Sequence, residues 1–492
     1  MQWEETSRMA NTVADDVLNC YSDETKQVLR SEPLNSVGNY NRLSQFTKED
    51  YRYIQETKQW MRYTNRWRID YDKQWITKCY INAMEVTLLL ALRENNTSLR
   101  HFANGCLKNH VIEQDLKLAS KMVNQSGFQF PISADELDKD PMIIGLPNGC
   151  LDLNTCRPKE MSKNEFITKS IRVDYNPEAR CELWEDIFIP SICCNDQQLM
   201  LFLQKLAGYM LTGSTKEEML FFLFGAGRNG KGTFTGTLGH LLKDYFFTLP
   251  SSFLENKKFG SNNEAHASQL RGVRYALASE TGKTRRWDME RVNDLTGGDT
   301  LPARALYQNT INIEPTWKLC IHGNSKPSVT SEGEGFWSRM ALMPFDAKFD
   351  DPKTAIKDLK TELRKEENQQ GILNWCLEGC LGWQAQGLEK PECVVKATKE
   401  FRSDSEILKD FYEQECFFHE EARVGRKELW TIYQDYCQDM EIPPIRRFSV
   451  QNFYNKIRDR KDIVEVTIQG FPTFKGIGRS EDYMEFKKEH NV

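Results

Sequence analysis

MLFFLFGAGRNGKGTF, running from Met219 to Phe234, is the stretch on which the fold turns. Six apolar residues lead into ten in which four glycines surround a single lysine. A continuous apolar run suits a strand buried on both faces of a parallel sheet. The glycines let bare backbone turn tightly and approach an anion. The following TFTGTLGHLL reads as a helix, whose N-terminal N–H groups would converge on phosphates. Lys231 adds a point charge for the outer phosphates. Gly225, Gly227, Arg228, Asn229, Gly230, Lys231, Gly232, Thr233 and Phe234 are therefore the expected nucleotide-binding stretch. One position departs from the usual pattern: Gly232 stands where a serine or threonine normally follows the lysine. Either Thr233 holds magnesium or water completes the metal shell, which magnesium accepts readily.

Working outward, residues 217–345 alternate apolar strands with helices, as a three-layer α/β nucleotide-binding domain requires. The strands are expected at 219–224, 275–278, 317–322 and 340–345. VRYALASET ends its strand in Glu280, placed to orient magnesium or activate water. LTGGDTLPARALYQ joins an acidic Gly-Gly turn to Arg304. WKLCIHGNSKP ends its strand in Asn324, an amide suited to sensing a terminal phosphate. GFWSRMALMPF sets Arg339 just ahead of the last strand, where it suits a phosphate contact made from a neighbouring subunit.

The 492 residues allow two to four domains, with 39% apolar and 28% charged residues, and the net charge is −6. That balance does not exclude nucleic acid, because a DNA channel needs only local positive charge. The 14 cysteines form no pair of CxxC motifs and no secretory framework. With neither a signal-peptide pattern nor an apolar run like VTLLLAL (86–92) long enough to span a bilayer, the expectation is a cytoplasmic protein of a bacterial host, away from membranes.

Residues 1–45 read as a polar lead-in, and 46–211 as a mostly helical N-terminal region. Within it, 46–128 is expected to be helical, PNGCLDLNT to hold a turn, and MIIGL and FITKSIRVDY to be strands. The nucleotide-binding core is expected over 212–350, followed over 351–405 by a helical lid, broken near Gly371, and a linker. Residues 406–492 give two helices and then IVEVTIQGFPTFKGIG, the order of a winged helix. Arg446, Arg447, Lys456, Arg458 and Lys475 are its candidate DNA contacts.

With these segments in order, the sequence resembles the superfamily 3 helicases of phages, plasmids and large DNA viruses, nearest the phage/plasmid and poxvirus-type primase-helicases. The resemblance implies an AAA+-like core in which Lys231 belongs to the Walker A loop and Glu280 to Walker B. It makes Asn324 the sensor and Arg339 the arginine finger, with Ser338 where a second arginine is frequent. TGGD and Arg304 resemble the segment that touches DNA in the pore, and a lysine common just before it is Asn293 here. Such proteins form rings, usually hexamers, bind ATP with Mg2+ between subunits, and move 3′ to 5′ on single-stranded and forked DNA. Two other readings stay open: an origin-binding initiator without processive unwinding, and a primase using Asp70 and Asp72.

Overall fold

The computed structural model describes residues 14–122, 129–254, 267–279, 289–303, 311–326, 334–349, 358–442, 444, 447–458, 460 and 462–490. The chain divides into one unit of residues 1–151, 158–169 and 307–311, and a second of residues 152–157, 170–306 and 312–492.

In the second unit the apolar run becomes Leu220–Phe224 (β1). Four further strands share its sheet: Phe246–Leu249 (β2), Tyr275–Ser279 (β3), Lys318–Gly323 (β4) and Met340–Pro344 (β5). Their order is β5-β1-β4-β3-β2, and every pairing is parallel. Phe222 lies opposite both Ile321 and Leu342, so β1 is flanked on both edges. This explains its unbroken apolar character. Helix Lys231–Leu242 (α1) follows and buries Phe234, Leu238, Leu241 and Leu242. Because all five strands run the same way, the loop after β1 and the end of β4 share one sheet edge. Arg339 ends helix Glu334–Arg339 (α2) immediately before β5, and Met340 pairs with Leu220, so it lies at the opposite edge.

Two lid helices follow, Leu359–Glu362 (α3) and Glu366–Gln386 (α4). The break expected near Gly371 is absent, since α4 runs through it. A Cβ there would come within 2.4 Å of the Arg180 and Cys181 backbone, so this glycine admits a close neighbour without ending the helix. Helix α4 packs on Gln197–Leu211, with the Tyr209 and Trp383 rings 4.6 Å apart. Residues 170–211 consequently belong with the sheet domain, and the boundary expected at 211 lies near 170.

The linker expected before 405 is also absent, because helix Glu392–Glu415 (α5) crosses that boundary. Val394, Phe401 and Leu408, two turns apart, are all buried and carry one apolar stripe across it. Strand Cys416–Gly425, helices Arg426–Asp439 and Val450–Arg458, and strands Val464–Ile468 and Phe471–Arg479 come next. The two-helix and hairpin order matches the sequence reading, with Cys416–Gly425 as a third, antiparallel strand. Phe411, Tyr433, Phe453 and Phe474 form its core.

The first unit departs more from expectation. From residue 14 onward the supposed lead-in is folded: helices Asp23–Ser31 and Ser36–Thr47 bury Leu29, Tyr40 and Leu43. Residues 1–13 lie outside the described set. The aromatic and basic segment after 50 forms antiparallel strands Tyr51–Ile54, Gln59–Tyr63 and Trp67–Asp70 where helix was expected. Cross-strand packing outweighs helical spacing here: Arg62 stacks over Tyr51 and Trp75, and Arg52 over Trp67. Helices Gln74–Arg93, Thr97–Cys106 and Asn109–Ala119 then appear as read. The helical stretch Tyr71–Arg93 is long and apolar enough to cross a membrane by length and composition, which the short run at 86–92 did not suggest. It contributes Ile76, Tyr80, Ala83 and Met84 to a buried cluster with Tyr40 and Leu116, the setting of a core helix. MIIGL forms a strand at Ile143–Leu146, but residues 166–175 form none.

Candidate functional site

The glycine loop closes into α1 through Gly230, whose φ of 85° is left-handed; a Cβ there would lie 2.3 Å from Ile192 Cγ2. Lys231, only 6% exposed, is drawn inward by three acceptors. Its ammonium donates to the Gly225 carbonyl at 2.7 Å, Asn229 Oδ1 at 3.0 Å and Asn324 Oδ1 at 3.2 Å. Asn229 in turn donates from Nδ2 to the Phe345 carbonyl at 2.9 Å, pinning the loop to the end of β5. Burial lowers the Lys231 pKa to about 8. The ammonium therefore sits where desolvation disfavours its charge, a condition that an incoming anion relieves.

These groups border a cavity of about 360 Å³ lined by residues 227–233, 322–324 and Lys360. Three lining residues escaped the sequence reading: Gly323, which offers only backbone, and the side chains of His322 and Lys360. His322 precedes Asn324 by two positions, so strand alternation puts both on one face, and that was the available signal. Its Nδ1 lies 3.4 Å from the Thr235 hydroxyl. Burial, then the charges of Lys231 and Lys360, keep the imidazole below its ordinary pKa and favour the neutral ring. Lys360 arrives from α3, and no local motif announces it.

Phe234, expected to touch nucleotide, does not line the cavity. It is 1% exposed and stacks on Trp184 at 5.7 Å, since a phenyl group one turn into a buried helix gains most by packing. Gly225 likewise stays out of the lining and offers its carbonyl to Lys231. For magnesium, the residues present fit: Thr233 faces the cavity, and a Cβ on Gly232 would meet nothing within 4 Å, leaving room for a water-rich shell. Among the described residues no cluster of three or more His, Cys, Asp or Glu forms a metal cage. Glu280 lies outside the described residues.

Known proteins share sequence with this chain over most of its length. Residues 40–190 match the family described as D5 N terminal like, and residues 223–339 match a family of unknown function, DUF5906. A protein of Acanthamoeba polyphaga mimivirus named "Putative helicase L207/L206" is 24% identical over 396 residues, covering 76% of this chain and 39% of that protein. The similarly named 121R of Invertebrate iridescent virus 3 is 24% identical over 431 residues, covering 80% and 44%. The chain is related to viral proteins named as helicases. It spans less than half the length of these two relatives. Among solved structures, the apo NrS-1 C-terminal region covers 87% of this chain and 96% of its own, at 10% identity and a TM-score of 0.43, too distant to carry an argument.

The remaining candidates lie elsewhere. Arg339 does not meet Lys231 in the same chain: its Nη2 is 3.3 Å from Glu218 Oε2 and its Nη1 donates to the Asn293 carbonyl at 3.4 Å. Arg304 and Arg446 lie outside the described residues. Arg447 donates from Nε to the Ile442 carbonyl at 2.7 Å, a contact within its own turn. Lys475 pairs with Glu421 at 3.3 Å and Arg458 with Glu465 at 2.7 Å, while Lys456 lies on the same helix as Arg458. Phosphate contacts by Lys475 or Arg458 would exchange one ion pair for another. Asp70 is committed to structure, with one carboxylate oxygen accepting from the Trp75 N–H at 3.0 Å and the other from the Ile76 N–H at 2.9 Å.

Proposed function

We propose that this chain is the ATP-dependent motor of a superfamily 3-type DNA helicase, with an AAA+-like sheet domain and a winged-helix-like C-terminal unit. The reading rests on one observation: Lys231 and Asn324, 93 positions apart, meet at 3.2 Å inside a cavity at the N-terminus of α1. Backbone N–H groups and Lys231 bind the phosphates, and Asn324 positions the terminal one or its attacking water. Magnesium bound with the nucleotide, held through Thr233 or water, neutralises charge on the phosphates. The placement of Arg339 at the far sheet edge supports its delivery to a neighbouring subunit's nucleotide, and hence a ring, most simply a hexamer. Such a motor would draw single-stranded DNA 3′ to 5′ at forks during replication of a phage, plasmid or viral genome in the host cytosol.

The test is a DNA-stimulated ATPase and strand-displacement assay on forks of both polarities, with assembly mass measured under the same conditions. Lys231→Ala should abolish hydrolysis without unfolding the chain; unchanged turnover would remove this site from consideration. The commitment of Asp70 to a helix start gives the primase reading no support. An initiator role is separated by footprinting on origin DNA beside the same unwinding assay.

A further inference from the structure

Lys360 extends the phosphate site from an element the glycine loop does not contain. It lies on α3, lines the same cavity as Lys231, His322 and Asn324, and is exposed. Among the described residues no carboxylate lies within ion-pair distance of it. The acid nearest along its own helix, Glu362, is engaged by Lys365 at 2.7 Å. No carboxylate lines the cavity among the described residues either. An ammonium without a counter-charge among the described residues, facing an anion-sized cavity, gains most there from an anion.

Position within the cavity narrows the anion. Lys231 donates both to the loop, at Gly225 and Asn229, and to Asn324 just past β4, so it bridges the loop and the strand end, and Lys360 joins the same lining from α3. His322, which lines the cavity with both lysines, feels both of their charges. A phosphate chain cradled by the loop and passing Lys231 would therefore end toward Asn324, in the cavity that Lys360 also lines.

We propose that Lys360 binds the terminal phosphate of a nucleoside triphosphate from the same chain, and so sets the preference for triphosphate over diphosphate. The inference rests on the nucleotide reading given above. A triphosphate gains this contact whereas a diphosphate ends short of it, so the lysine acts on one ligand and leaves the other alone. Loss of one charge-assisted hydrogen bond to phosphate corresponds to roughly tenfold in affinity.

The experiment uses the full chain with magnesium and two fluorescent probes, a non-hydrolysable N-methylanthraniloyl ATP analogue and the corresponding ADP. For Lys360→Ala the triphosphate Kd should rise roughly tenfold while the ADP Kd changes less than about twofold, and Lys360→Arg should restore most of the loss. The side chain is exposed, so the alanine variant should keep the wild-type melting temperature. Equal shifts for both probes, or no shift for either, overturn this inference alone when the wild type binds both. A wild type that binds neither probe overturns the nucleotide reading together with it.

Discussion

Replacing Lys231 by methionine tests the electrostatics of the site before any ligand is added. In the free protein burial holds this lysine at about 8, against 10.5 for an unhindered side chain. Between those values the unfolded chain binds a proton that the folded chain does not, so folding stability rises with pH across that window. Below about 8 both states are charged, and the folded state carries the whole cost of the buried ammonium, about 3 kcal/mol from a shift of roughly 2.5 units. Linkage over these two pKa values makes the wild type gain about 1 kcal/mol between pH 7 and pH 9 relative to Lys231→Met, whose thioether does not titrate. Urea unfolding of both proteins without nucleotide, followed by tryptophan fluorescence at several pH values, reads the difference directly. The same logic makes binding of a magnesium-bound triphosphate at pH 8 take up roughly half a proton, because the phosphates return Lys231 to its charged form. Calorimetry in buffers of different ionisation enthalpy measures that uptake. Parallel stability curves for the two proteins, together with proton-neutral binding, would refute the picture of a desolvated lysine awaiting an anion.

Other substitutions separate roles within the fold. Mixing Arg339→Ala subunits with Lys231→Ala subunits should recover part of the ATPase activity if the arginine acts across a subunit boundary; failure despite confirmed mixed assembly would make it a structural residue. Phe234→Ala should lower stability by about 3–5 kcal/mol through the cavity left against Trp184, so a nucleotide affinity loss without a fall in melting temperature would contradict its placement in the core. Asp70→Ala should lower stability by about 1–2 kcal/mol, as for a lost helix cap, while leaving ATPase turnover of the folded protein unchanged; a selective loss of primer synthesis would reverse the assignment.

The local chemistry of the phosphate loop is legible in the order of its residues alone. Its glycines, its lysine and the apolar run before them are constrained by backbone geometry within a few residues, and such constraints are written contiguously. Strands β1, β3, β4 and β5 were legible within a residue or two because burial on both faces leaves an apolar run that few other settings tolerate. Which distant segments meet emerges only once the chain has folded. The shared direction of the strands set Arg339 at one end of the sheet and Asn324 at the other, and periodicity does not reveal direction. Cross-strand stacking of Arg52 and Arg62 on aromatic rings turned an apparent helix into strands. The buried stripe through Val394, Phe401 and Leu408 carried α5 across a supposed linker. The contribution of Lys360 to the cavity depends on how the lid folds back over the end of β4, and a lone lysine in a charged segment announces no partner until the chain has closed around it.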